Sequence, residues 1–225
     1  MDDDKASGWI MAALAGTALA GFYWSRGGCK PNPQDYPGNC DCHCYSNLFR
    51  EFGAPLGIPV RYMHALACRE STCDPLDRKG PAWGLMQITE VVRCNEARID
   101  GRPGIHTREE LLDPRISVFL CTRILGKTIR VLESLGFKAN WNDKQWVGLV
   151  TAGWNAGYSM RGGLGRVIKY LKERGWKTED IDIDVVYQHA QRAGATKYLW
   201  KIPKRRRWWH SVVRLYFKTN VKPGL

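Results

Sequence analysis

ALACRESTCDP, residues 65–75, sets an apolar helical stretch against a charged pair and then halts it. Upstream, Val60, Met63 and Ala67 fall three and four apart, the spacing of one helix face. Pro59 suits a first helical turn, so a helix is predicted from there. Downstream, Asp74-Pro75 bounds it, because the residue before a proline avoids helical geometry. Glu70 then lies at a helix C-terminus. Apolar neighbours and the negative end of a helix both disfavour a carboxylate, so its pKa is expected to rise toward what a general acid needs. A lone glutamate on a last turn is more often a solvated surface group, and only the segments around it can raise it above that.

On the N-terminal side a shorter helix is predicted over Ser46–Phe52, ending before Gly53. On the C-terminal side apolar residues recur three and four apart around Thr107–Leu112, Pro114–Leu135, Asp143–Gly153, Leu164–Arg174 and Asp184–Arg192, as at Val167, Tyr170 and Leu171. No convincing period-two run marks a strand, and there is no internal repeat. The expected class is mainly α, a single globular helical domain.

Glu70-Ser71, with Pro75 four residues after the serine, is followed in order by Gly84-Leu85-Met86-Gln87, by Ala152-Gly153-Trp154-Asn155-Ala156-Gly157 and by Tyr198-Leu199. Together these segments resemble the lytic transglycosylase family with the lysozyme-like fold, and Leu112-Asp113-Pro114 is similar to that family's connecting segment. The likeness runs from about Tyr45 to Ile202. It implies an α+β, mainly helical lysozyme-like domain that cleaves peptidoglycan between N-acetylmuramic acid and N-acetylglucosamine, leaving a 1,6-anhydro end and using no metal or cofactor. It makes Glu70 the acid and then the base, with Ser71, Met86, Gln87, Asn155 and Tyr198 binding substrate or orienting the acid. Plainer uses compete for each. Ser71 can cap the helix, Gln87 can satisfy buried backbone, Asn155 can sit in a turn, and Tyr198 can be core, with Tyr187 its rival; Met86 reads as groove floor and Leu85 as core.

The sequence also departs from the family. Trp154 stands where a tyrosine is usual, Cys73 where an aromatic is usual, and Thr89-Glu90 where Met-Pro is usual. The resemblance so altered suggests a disulfide through Cys73 that supports the active-site loop. Asp74 and Asp77 are the nearest spare carboxylates, and either one facing Glu70 would make the protein a goose-type lysozyme that hydrolyses the same bond with water. A non-catalytic glycan-binding component of an envelope or virion is the alternative from another class. Intact Glu70, Gln87 and Asn155 speak against it.

With 225 residues, 44% of them hydrophobic, the chain can build one compact domain plus short appendages. Ten Trp, nine Tyr and six Phe suit either a helical core or a groove that stacks on sugars. The net charge is +12, and nine Lys or Arg with no acid lie in residues 197–225. Residues 203–225, set apart as a basic aromatic tail, either lie on an anionic membrane, wall or polymer, or close the domain as a helix with its apolar face packed. A nucleic-acid role for this tail leaves the four ordered segments unexplained.

Eight cysteines fit disulfides in an oxidising compartment, not a reducing cytosol. Zinc is the competing use for Cys29, Cys40, Cys42, His43 and Cys44, although their spacing is not that of paired ligands. Residues 8–24, GWIMAALAGTALAGFYW, are uncharged with aromatic residues at both ends, which predicts a membrane anchor within 1–26. The acidic leader MDDDK argues against a signal peptide cleaved after Ala18-Leu19-Ala20. Residues 27–44 read as a linker rich in Gly, Pro and Cys, and 45–202 as the transglycosylase domain.

The expected placement is membrane-anchored facing the periplasm or wall, or in a phage virion. Arg26 and Lys30, just after the apolar run, oppose this, since positive charge favours the cytoplasmic side. Other chemistries find no support. His43, His64, His106, His189 and His210 lack metal-pair spacing, no serine sits in a nucleophile turn, and Arg161-Gly162-Gly163-Leu164-Gly165 lacks the Lys-Ser/Thr of a phosphate loop.

Overall fold

The computed structural model describes residues 42–89, 92, 107–196, 199, 201 and 203–218. The proposed anchor over 8–24, the linker up to residue 41 and Tyr198 lie outside them. Seven α-helices run through the described residues: α1 Ser46–Gly53, α2 Val60–Ser71, α3 Pro114–Ser134, α4 Lys144–Ala156, α5 Leu164–Lys172, α6 Ile183–His189 and α7 Pro203–Lys218. Six of them fall where the sequence placed them. The stretch near residue 107 is a short 3-10 turn, Glu109–Leu112.

Helix α4 is the axis of the packing. Trp146 through Gly153 are all buried, which a helix with a single apolar stripe does not show; a helix apolar all round belongs to the interior. Helices α3, α5, α6 and α7 pack around it. Close approach depends on Gly153, where a Cβ would stand 2.4 Å from the Thr128 side chain of α3. The helix starts are set by aspartates. Asp113, Asp143 and Asp182 each accept a backbone N–H two residues on, at 2.8 to 2.9 Å, and so open α3, α4 and α6.

Several expectations need correction. Pro59 is the residue before α2, extended at ψ 139, not its first helical residue. Helix α2 ends at Ser71 because Thr72 turns left-handed, φ 60, before Asp74-Pro75 is reached. Three strands are present: β1 Arg78–Lys79, β2 Ala82–Trp83 and β3 Ile88–Thr89 form an antiparallel sheet in that order, with Trp83 opposite both Arg78 and Ile88. At two residues each they carry no period to detect.

The segment set apart as a basic tail packs on the domain. Trp209, Val212, Val213 and Tyr216 of α7 are buried, spaced three, four and seven apart, and the helix lies against α2 and α4. Arg206 and His210 also pair with Asp184 of α6, at 2.6 and 2.8 Å. Cys42 and Cys73 form a disulfide, and Cys44 is disulfide-bonded as well, so neither Cys42 nor Cys44 offers a thiolate to zinc. No helix among the described residues is long and apolar enough to cross a membrane.

Candidate active site

Glu70 sits partly buried in the last turn of α2, and Trp154 of α4 donates its indole N–H to Glu70 Oε1 at 2.6 Å. Burial pushes the Glu70 carboxyl up to about 7, against the Trp154 hydrogen bond and the charges of Lys79, Arg205 and Arg69, which pull it down. Burial is the leading cause, where the sequence had credited the helix end as well. A carboxyl held near 7 populates both protonation states at neutral pH, as a group that must give and retake a proton requires.

The frame around Glu70 is made of strained and tightly bonded backbone. Among the described residues the non-glycine positions with left-handed φ are Thr72, Cys73 and Gln87, at 60°, 62° and 49°. All three lie in this corner, and each costs on the order of 1 kcal/mol or more, a strain that persists only where the surroundings impose it. The surroundings do impose it. The Cys42–Cys73 disulfide anchors one side, and Ser71 Oγ donates to Leu85 O at 2.8 Å across to the Gly84–Gln87 turn. Gln87 Nε2 donates to Asp77 O at 3.1 Å and to Gly84 O at 2.9 Å, and the Met86 N–H donates to Ser117 Oγ of α3 at 3.0 Å. Gly84 is irreplaceable there: its φ is +80°, and a Cβ would fall 1.8 Å from Leu111 O.

Ser71 and Gln87 therefore bond the backbone that frames the acid. Gln87 Oε1 is buried with no hydrogen-bond partner among the described residues. Met86 is fully buried and is core like Leu85, not groove floor. Asn155 follows Trp154 on α4, and α7 holds it: Arg205 Nη1 donates to its main-chain oxygen at 2.8 Å and to Oδ1 at 2.9 Å, while Trp209 Nε1 donates to Oδ1 at 3.1 Å. Two donors on one end of the amide identify that end as oxygen, which leaves the Nδ2 hydrogens for another acceptor. Tyr187, the rival for the late-tyrosine role, packs edge-on against Trp209 with ring centroids 6.3 Å apart.

The spare carboxylates are engaged elsewhere. Asp77 pairs with Lys79 at 2.6 Å, and Asp74 accepts the Leu76 N–H at 2.9 Å within its own turn. Lys79 also donates to the Glu70 main-chain oxygen at 2.7 Å, which ties β1 to the end of α2. Sequence reasoning missed Trp154 as a direct partner of the acid, and missed Arg205 and Trp209 altogether as site residues. The signal for Trp154 was its departure from tyrosine; for Arg205 a basic run hid it. No group of three or more His, Cys, Asp or Glu suited to a metal occurs among the described residues.

The profile of the transglycosylase SLT domain family matches residues 47–183. Among solved structures, the chain is similar to a 70-kDa soluble lytic transglycosylase in complex with bulgecin A, with 24% identity over 77% of this chain and a TM-score of 0.52. It is also similar to the 70 kDa soluble lytic transglycosylase from Escherichia coli, with 22% identity over 77% of this chain and a TM-score of 0.47. In both cases it spans 24% of the other protein's length. A search of curated proteins found no match. At 24% identity and a TM-score of 0.52, the likeness to the bulgecin-bound enzyme speaks for the fold alone, mainly helical and lysozyme-like.

Proposed function

The chain belongs to the transglycosylase SLT domain family, and from that membership we propose that it is a peptidoglycan lytic transglycosylase, cutting between N-acetylmuramic acid and N-acetylglucosamine and leaving a 1,6-anhydro-muramoyl end. The observation that carries this reading is Glu70, desolvated until its pKa stands at about 7 and fixed by the Trp154 indole. An indole N–H only donates, so with Oε1 occupied the proton of the neutral acid resides on Oε2. Oε2 gives that proton to the glycosidic oxygen as the bond to the muramoyl C1 breaks. The carboxylate then takes the proton of the muramoyl C6 hydroxyl as its oxygen bonds to C1, so Glu70 is regenerated and no water is consumed. Asn155 serves the substrate through its Nδ2 hydrogens, on the acetamido oxygen that steadies the developing cation.

Transglycosylation is favoured over hydrolysis because Asp74 and Asp77 are both engaged and the charges weighing most on Glu70 are all cationic. A wall polymer as substrate agrees with the disulfides at Cys42, Cys44 and Cys73, which suit an oxidising compartment. Anchorage through residues 8–24 and an envelope or phage setting belong to the same proposal. The test is digestion of purified peptidoglycan with mass analysis of the fragments. Anhydro-muramoyl ends are expected, and a Glu70→Gln variant that remains folded should lose at least about a thousandfold in rate. Reducing ends would replace the reading with hydrolysis, and no release by folded protein would remove it.

A further inference from the structure

The family profile stops at residue 183, yet the helix that begins at Pro203 reaches the candidate site. Arg205 Nη1 bonds both oxygens of Asn155, and Trp209 adds a second donor to Oδ1. We propose that Arg205 is a positioning residue of the active centre, which locks the Asn155 amide with its NH2 presented to the substrate and brings a fixed positive charge to bear on Glu70. This inference rests on the transglycosylase reading for the identity of the substrate group, but not for the lock or the charge. Three features of the geometry support it. The guanidinium is partly buried, so its charge is poorly screened. Asn155 directly follows Trp154, which holds Glu70, so one short stretch of α4 ties the acid and the amide to the same rigid helix. Finally, the hydrophobic face of α7 fixes the base of the arginine through buried Trp209, Val212 and Tyr216.

The charged and titratable groups around Glu70 come from several elements. Arg69 lies on its own helix, Lys79 on β1 and Arg205 on α7, while the buried Tyr62 of α2 and Cys121 of α3 both feel its charge. Removing Arg205 leaves two cations and should raise the Glu70 pKa, because one stabiliser of the ionised form is lost. A role confined to docking α7 would instead lower the melting temperature and leave the titration where it was.

The experiment follows the Glu70 carboxyl by 13C NMR across pH, together with kcat and KM on peptidoglycan, for the wild type, Arg205→Gln and Arg205→Lys. Arg205→Gln is expected to move the Glu70 titration up by about half a pH unit and to lower kcat about tenfold. Arg205→Lys keeps the charge, so its titration should stay close to wild type, while kcat still falls because the shorter lysine stem does not carry its ammonium to the Nη1 position from which both Asn155 oxygens are bonded. An unmoved titration in folded Arg205→Gln would overturn the inference, as would a drop in melting temperature alone. If the wild type releases no fragments but the titration shifts as stated, the transglycosylase reading fails and the control of Glu70 by Arg205 stands.

Discussion

The Glu70 corner and the Asn155 corner of the site are built in opposite ways. Glu70 is framed by residues 71–87, where left-handed Thr72, Cys73 and Gln87 and the bonds from Ser71 and Gln87 force one backbone path. Asn155 is framed by a helix fifty positions further along the chain, held by buried rings and by charge. The first frame resists deformation because its backbone has nowhere else to go. The second holds only while α7 stays docked. Variants of the two frames should therefore fail differently, the local one sterically and the remote one through lost burial or altered protonation.

The largest effect is expected at Gly84. A methyl there meets Leu111 O at 1.8 Å and Leu111 C at 2.8 Å, and the backbone already sits at φ +80°, so no side-chain movement relieves it. Gly84→Ala should cost about 5 kcal/mol or prevent folding outright. Thermal unfolding with circular dichroism checks this, and an unchanged midpoint would show that the turn can shift without cost.

Next comes Trp209→Ala, which opens a cavity under α7 and removes one of the donors to Asn155. A loss of about 3 to 5 kcal/mol is expected in urea unfolding. Trp209→Phe should retain most of that stability and lose the hydrogen bond, which separates packing from positioning. Equal destabilisation by both variants would mean that the indole N–H, not the ring, dominates at that position.

The same contrast explains what the sequence disclosed. Apolar residues three and four apart placed α2 to α6, even though α4 is buried all round and not on one face, and the Glu70, Gly84–Gln87 and 152–157 segments stood out together, as the ordered segments of the family resemblance. Helix α7 was harder to place. Its buried residues 209, 212, 213 and 216 have the right spacing, but Lys204 to Arg207 add four consecutive charges that also suit a solvated or surface-bound tail. No local rule links Trp154 to Glu70 across 84 positions, or Arg205 to Asn155 across 50. Ser71 and Gln87 were found as positions, yet whether their polar atoms face a ligand or the backbone depends on a turn that only folding brings near.

Trp154→Phe probes the junction of the two corners. The indole bond favours ionised Glu70, so removing it should push a pKa already at about 7 further up, by as much as about one unit. Protonated Glu70 starts the reaction, so wild-type activity should fall as pH rises through about 7, and in the variant that fall should move to higher pH. The overall rate should drop about tenfold because Oε1 is no longer fixed. An identical pH profile would show that the bond holds the side chain without tuning it.

The smallest effect is expected at Asp184, which joins α6 to α7 through Arg206 and His210. The Arg206 hydrogen bond comes first among the causes that hold this carboxyl below its ordinary value, ahead of the His210 contacts. A depressed carboxylate contributes stability above its unfolded pKa, near 3.9, and loses that contribution as pH falls through the lower folded value. Both partners are partly exposed, so Asp184→Asn should cost at most about 1 kcal/mol at pH 7 and progressively less below pH 4. Added salt should shrink the difference, since screening weakens exposed pairs. If the variant instead lost as much stability as Trp209→Ala, α7 would be held by charge more than by its buried face, and the division between a sterically fixed corner and a packed one would have to be redrawn.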